Sequence, residues 1–497
     1  MPATPLQPKE IRAIGIYGVI RQAEVDDFLL PEGAVPEALN FHFDRKGVAT
    51  VRPGMAALGA TVVVNRLPSG FINTFNSSAV IFPSDGSMWY YNGSAWGNRI
   101  VAGTLTSSTK IRYAEFLDRG IVVISGSGVY DSLRALKYIG NAGSVEAPNS
   151  DTVPLNLQQF ASDSTVNTQT LRAQFIEVFK SRAYLAGDWT TPDRLFFSSV
   201  ASSTGKITWT PSIDYVDINP SDGENITALK RFSLELLVFK PNYIYRFRTS
   251  GTDPDPLIKV GTRSQESIVE GKRGMYFHHD TGFYRYSGGY PEDISRPISD
   301  IIDAIPFSQY NDIIGWKDTD HIYWSLADLD ISNIYETETW KNVVVRYTES
   351  SDVWTIYSYA SQIRAGMTFT QASTQTTLVG LDNGVVATLN SGTTDVGEMI
   401  KFRLITKYYE LEGIENQKIL QRLIALFEKA QLSQLMYQID DEREWKSIGD
   451  VRKYLNDFKN LNIKFHRIRF KITGTSRLEA PIFQGIKIIE GINEGLI

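Results

Sequence analysis

The sequence predicts an all-β protein, a β-propeller followed by a C-terminal antiparallel β-domain, and three observations carry that expectation. Tyr (24) and Phe (25) are abundant beside 38 glycines, a balance that favours strands and turns over helices. Short apolar strands parted by hairpin turns recur through seven units of residues 39–395. Their intervals of roughly 35–55 residues fall in the range of propeller blades. After Thr394 the texture changes to alternating strands such as "MIKFRLITKYYEL". Two successive β-sandwiches are the alternative for the first part; the persistent period favours the propeller.

Residues 1–38 read as an N-terminal extension. The opening "MPATPLQPKEIRAIGIYG" has three prolines and no apolar core of signal-peptide length. "NFHFDRKGVATVRP" (Asn40–Pro53) is strand, turn at Arg45–Gly47, strand. "AVIFPSDGSMWYYNGSAW" (Ala79–Trp96) turns at Asp85-Gly86 and at Asn92-Gly93, both hairpin dipeptides. "IRYAEFLDRGIVVISGSGVY" (Ile111–Tyr130) turns at Asp118–Gly120 and Gly126–Gly128. The pattern continues through Phe175–Phe197, Ile226–Phe247, "RGMYFHHDTGFYRYSGG" (Arg273–Gly289), Ile313–Tyr357 and "LVGLDNGVVATL" (Leu378–Leu389). In the histidine-bearing unit Thr281-Gly282 is expected at the turn.

Two stretches break the rhythm. Residues 141–169 are polar and poor in strand formers, which predicts a long loop or arm. "PISDIIDAIP" (Pro297–Pro306) spaces Ile298, Ile301, Ile302 and Ile305 as one helical face, with proline at each end.

Residues 396–497 read as a sandwich-like domain, with a boundary expected at Asn390–Glu398, where Gly392 and Gly397 loosen the chain. In its first strand Ile400, Phe402 and Leu404 alternate with Lys401 and Arg403, the mark of a half-buried strand. "IKFHRIRFKI" slips phase between Phe465 and Ile468, which predicts a β-bulge at His466. This region carries 17 Lys+Arg against 14 Asp+Glu, a net of +3, while the preceding 395 residues carry 33 against 42, a net of −9. A sequence-specific nucleic-acid binder would show a strong basic patch. No run of about 18 apolar residues suggests a membrane span.

Chemistry is sparse. His278, His279 and Asp280 have the residue types of a metal site, but neighbours in a strand point to opposite faces. The chain has no cysteine, and His42, His321 and His466 lie at no ligand spacing from one another. No metal, cofactor or catalytic residue is therefore expected. Gly126 and Gly128 are followed by Asp131 where a dinucleotide fingerprint needs glycine. No phosphate-binding loop, G-x-S-x-G elbow or H-E-x-x-H occurs. Asp/Glu pairs meeting across a propeller mouth could still act on a sugar. Trp89, Trp189, Trp209, Trp316, Trp324 and Trp354 could form a sugar platform, but their place within the strand repeats points to packing.

In order, these parts resemble the β-propeller tail proteins of short-tailed bacteriophages. "LPEGAVPEALNFHFDRKGVATVRPGMAALG" is similar to the family's opening, with Asn40, Gly47, Arg52, Pro53 and Gly54 on its N-x6-G-x4-R-P-G pattern. "LELLVFKPNYIYRF", "DTGFYRYSGGYPEDISRPISDII" and "IKFRLITKYYEL" continue the likeness over nearly the whole chain. The resemblance implies a structural tail hub or nozzle in the virion, synthesised in the host cytoplasm. Its homo-oligomeric ring, expected to be a hexamer, would lie below the portal and adaptor proteins. It would anchor fibre, spike or needle proteins and pass genomic DNA without sequence-specific binding. The alternative is a carbohydrate-active or glycan-binding propeller of a phage tail.

Overall fold

A computed structural model describes the chain between residues 4 and 495, except at 6–7, 13, 23–28, 45, 61–67, 74–78, 86, 92–93, 101–109, 117–118, 126–135, 141–172, 189, 201–212, 248–254, 335–338, 372–373, 412, 430–432, 441 and 453. The polar stretch 141–169, Trp189, Trp209, Gly126, Gly128 and Asp131 lie outside the described residues. The protein is all-β, with 51% strand and 5% helix. One sheet curls to a nearly closed, barrel-like form, and several smaller sheets accompany it.

The smaller sheets are antiparallel meanders in chain order. Pro68–Asn73, Ala79–Pro83, Met88–Tyr91 and Trp96–Ile100 form one; Lys110–Phe116, Arg119–Ser125 and Leu136–Gly140 form the next. Phe175–Phe179 to Tyr215–Asp217, Ala228–Phe232 to Asp255–Ile258, and Val269–Glu270 to Glu292–Asp293 give three further four-stranded sheets. Ile314–Lys317, His321–Ser325, Val343–Thr348 and Val353–Ser358 follow, then Ile363–Gln371, Thr374–Leu381 and Val386–Leu389; these two groups are the two ends of one fourteen-stranded sheet. The outer strand of this last group is Met55–Ala57, supplied from near the N-terminus.

Opening strands of successive sheets lie beside one another. Pro68–Asn73 neighbours Lys110–Phe116, which neighbours Phe175–Phe179, which neighbours Ala228–Phe232. Further on, Val269–Glu270 neighbours Ile314–Lys317, which neighbours Ile363–Gln371, and that strand returns against Pro68–Asn73. Apolar side chains fill the spaces between sheets. Tyr184, Leu195 and Ile218 pack on Leu229, Leu236 and Tyr245, while Leu237 and Phe239 pack on Met275 and Phe277. Strands covered on both faces read as apolar runs, which is why "ELLVF" and "HIYWS" are almost wholly buried.

Residues 398–405, 433–439, 446–451 and 468–476 are the C-terminal strands of that fourteen-stranded sheet; 417–428, 455–458, 463–465 and 482–495 lie in an eight-stranded sheet with strands from the chain's beginning. Leu404, Leu435, Phe470 and Ile472 from the first share a core with Leu423, Phe427, Phe465 and Ile486 from the second. The chain's beginning is woven into both. Lys9–Ile11 pairs with Ile486–Ile488, and Glu37–Leu39 runs antiparallel to Arg403–Ile405 while meeting Ile356 in parallel. The stretch 296–312 forms short helical turns, and Ile298, Ile301, Ile302 and Ile305 are all buried, as their spacing predicts.

Three local expectations are corrected. His466 is not a bulge within one strand. Ile463–Phe465 pairs with 418–420 in one sheet, and Ile468–Ser476 pairs with 400–405 and 433–439 in the other. The one-residue slip lets the chain change sheets while Phe465 and Ile468 both face the core between them. Asp440 holds that corner, its Oδ1 accepting the N–H groups of His466 and Arg467, both at 2.8 Å. Arg403, expected on a solvated face, is buried, and Glu37 of the neighbouring strand Glu37–Leu39 takes up its charge. The hairpin after His279 turns on Asp280-Thr281, since His279 pairs with Gly282. Gly282 follows the turn at φ 148°, and a Cβ there would fall 2.1 Å from Ser295 Oγ, so glycine is required.

Candidate functional site

The most elaborate constellation lies where the N-terminal segment, the sheet ending at Ser358 and the C-terminal sheets meet. Asn40 adopts a left-handed backbone (φ 61°), which asparagine tolerates better than most residues. Its Oδ1 accepts from Arg52 Nε at 2.8 Å and from the Ser358 N–H at 2.9 Å, while Nδ2 donates to the Lys401 carbonyl at 2.7 Å. Three chain segments are thereby tied by one amide.

Arg52 is 1% exposed. Its Nη1 and Nη2 donate to Asp395 Oδ1 and Oδ2 at 2.8 and 2.5 Å, a bidentate pair, and Nη2 also reaches the Ser358 carbonyl at 2.9 Å. The guanidinium lies 3.8 Å from the centre of the Tyr359 ring. Burial alone would lower its pKa, but Asp395 and the neighbouring tyrosines outweigh that and raise it, so the cation persists. Gly54 completes the motif by close approach, because a Cβ there would fall 2.0 Å from the Thr394 carbonyl oxygen. Gly47 takes φ 76° in the turn closed on Asp44.

A second line of charges runs beside this brace. Arg403 pairs with Glu37 through Nε and Oε1; Arg21 Nη1 stands 3.7 Å from Glu37 Oε2, and Arg21 Nε donates to Asp300 Oδ2 at 3.1 Å. Burial raises the Glu37 pKa, and Arg403 and Arg21 oppose that rise. The line crosses from a C-terminal strand through the N-terminal segment to the helix at 299–303. Further buried ions tie the smaller sheets together. Lys240 Nζ, fully enclosed, donates to Asp222 and Asp193 at 2.7 and 2.9 Å, and Arg112 Nε donates to Glu266 at 2.7 Å.

The sequence candidates for chemistry are interior pieces. His278 packs edge-on to Phe283 and Tyr310, with ring centroids 5.2 and 4.9 Å away, and burial lowers its pKa to about 3. His279 instead approaches the Gly261 carbonyl through Nδ1 at 3.1 Å and packs against Tyr284. Asp280 is taken up by Arg263 Nε at 2.8 Å. Among the described residues no three His, Cys, Asp or Glu side chains converge to hold an ion. Trp324 and Trp354 stack at 5.8 Å, and their indole N–H groups donate to the Ser267 and Ile294 carbonyls. Trp316 stacks on Tyr323, and half-buried Trp89 joins the small cluster of Ile81 and Val386. These four are packing residues.

Sequence reading found Asn40, Arg52 and Gly54 through the family pattern but missed Glu37, Asp395, Lys240 and Glu266. Each looks like an ordinary surface charge until its distant partner is known. Chemically, the arrangement is a rigid cross-brace whose charged groups are engaged by one another.

No family model matches the chain, and no curated protein matches it. Among solved structures it is similar to the extracellular domain of the one-component system BT4673 from B. thetaiotaomicron, with a TM-score of 0.42 and 11% identity over 67% of this chain and 39% of that one. It is also similar to the computationally designed Ika8 protein, with a TM-score of 0.38 and 9% identity over 67% of this chain and 99% of that one. A third is PorZ, a surface component of the type-IX secretion system of Porphyromonas gingivalis, with a TM-score of 0.37 and 14% identity over 73% of this chain and 44% of that one. The chain thus spans less than half the length of the BT4673 and PorZ chains. At such scores these likenesses carry no argument about function. No helix of the described residues is long and apolar enough to cross a membrane.

Proposed function

We propose that this chain is a structural component of a short-tailed phage tail, a hub or nozzle subunit without turnover of its own. In this reading it is a β-propeller carrying a C-terminal β-domain. Consecutive antiparallel meanders, opening strands set side by side, and a last sheet completed by Met55–Ala57 support that architecture. Copies assemble into a homo-oligomeric ring, expected to be sixfold, in the virion tail below the portal and adaptor. The ring anchors fibre, spike or needle proteins and passes the genomic DNA.

The observation that carries the reading is the brace. Asn40, Gly47, Arg52 and Gly54, by which the sequence resembles that family, are the residues that fasten the N-terminal segment between the last sheets and the C-terminal ones. Fastening of this kind makes one stiff unit of the chain, as a closed ring of heterologous contacts requires. The net charge of −6 also fits a channel wall that repels rather than grips phosphate.

Mass spectrometry of purified virions, combined with imaging of their tails, tests the reading. The chain is expected in the tail at ring stoichiometry. Full-length protein found in infected cells but never in virions would overturn the assignment.

A further inference from the structure

A pocket of about 600 Å³ opens where the N-terminal segment crosses the sheet of residues 314–358. It takes no part in the brace. Ile16 and Phe43 line one side; Asp44, Asp320, His321 and Ser350 supply its polar groups. Ile16 is 42% exposed. The Gly15 backbone lies against the Phe43 ring, so closely that a Cβ there would fall 1.7 Å from Cδ1, and this fixes the apolar wall.

The polar wall is set by hydrogen bonds behind it. Asp318 Oδ1 lies 2.9 Å from His321 Nδ1 and 3.0 Å from each of the backbone nitrogens of Asp320 and His321, and its Oδ2 accepts from the Tyr323 hydroxyl at 2.8 Å. Burial pushes the Asp318 carboxyl up, but these bonds and the His321 ring outweigh it and hold it at about 2. The contact to Asp318 fixes the orientation of the His321 ring through Nδ1. Asp320 Oδ2 accepts from Ser350 Oγ at 2.6 Å. Asp44 Oδ1 accepts the Lys46 and Val48 N–H groups at 2.8 and 2.9 Å, so the carboxylate is held in place at the rim.

Acceptors therefore predominate on one wall, and an aromatic ring and an aliphatic side chain form the other. A ligand that satisfies both walls must present several hydroxyl donors and an apolar face. Asp320 Oδ1 also stands 3.5 Å from Lys272 Nζ, so two carboxylates face one cation at the wall; that balance disfavours phosphate, sulfate and acidic sugars, and a purely apolar ligand would strip water from the carboxylates without compensation. A pyranose has the required division, with equatorial hydroxyls around a C–H face. We infer that the pocket between Phe43 and His321 binds an uncharged oligosaccharide. The inference goes beyond the tail reading and does not depend on it.

The test uses the full chain on an array of uncharged oligosaccharides and of oligosaccharides bearing uronate or sialate. At least one uncharged class should be retained, and acidic glycans should not. Asp320→Asn and, separately, Ile16→Glu should each lower that retention tenfold or more. Ile16 is exposed, so the second variant keeps the test decisive if the first fails to fold. Absence of any uncharged ligand overturns the proposal, as does preference for acidic glycans or unchanged binding by the folded variants. Full competition by n-butylamine would also overturn it, since the pocket would then be a cation site.

Discussion

Arg52 and Asp395 lie 343 residues apart in the chain and meet in a bidentate pair of 2.8 and 2.5 Å, both side chains almost fully buried. The pair clamps the first hairpin of the chain to the corner from which the C-terminal strands depart. Asp395 is held there by the backbone as well, since it pairs with Glu398 on one side and Met55 on the other.

Breaking this pair on one side strands a buried charge. Asp395→Ala should destabilise the protein by roughly 3–5 kcal/mol, measured by chemical denaturation. The double variant Arg52→Met/Asp395→Leu should recover much of that loss, because it leaves no unpaired ion. Equal loss in the single and double variants would show that shape rather than charge matters at the brace.

Acid should act through Glu266. Burial raises its carboxyl pKa, but Arg112 and Lys110 outweigh burial and hold it at about 2, against an ordinary 4.5. A depressed folded pKa contributes stability above the unfolded value and loses it as pH falls through the folded one. Wild-type stability should therefore drop between pH 4.5 and 2 more steeply than that of Glu266→Gln. Parallel pH profiles for the two proteins would contradict this.

His278 should cost the protein stability in mild acid. Its folded pKa of about 3 lies below the ordinary 6.5, with burial as the main cause. Between those values the unfolded chain binds the proton and the folded chain does not, so stability falls as pH is lowered through that window. His278→Phe, which keeps the edge-on contacts to Phe283 and Tyr310, should flatten the fall seen in unfolding titrations. A chelator should leave the unfolding temperature of the wild type unchanged, and a stoichiometric transition metal in the purified protein would refute the packing role.

Removal of residues 1–12 should uncover a strand edge. Lys9, Glu10 and Ile11 pair with Ile488, Lys487 and Ile486, and Glu10 accepts from Lys487 Nζ at 2.6 Å. An exposed edge recruits other strands, so the truncated chain should self-associate in light scattering at concentrations where the full chain does not. An unchanged scattering profile would mean that other elements shield the edge.

Strand content, most hairpin positions and the buried isoleucine face of 298–305 were legible along the chain, because alternation, turn dipeptides and helical spacing are local properties. The hairpin at Lys180-Ser181 was harder to see. Both residues take positive φ, 45° and 60°, without the usual Asn or Gly, so the strands that flank the turn impose it. Around the brace, Asn40, Arg52 and Gly54 were marked by the resemblance to the phage tail family, but what they do was not. The rest depended on partners far away in the chain. Arg403 alternates like a solvated residue, yet it is buried and paired with Glu37 of the strand that runs beside its own. The phase slip at His466 was visible, yet a bulge and a change of sheet leave the same trace in one strand. Periodicity reports which faces of a segment are apolar; the pairing of distant strands determines what covers those faces, and so which charges are enclosed.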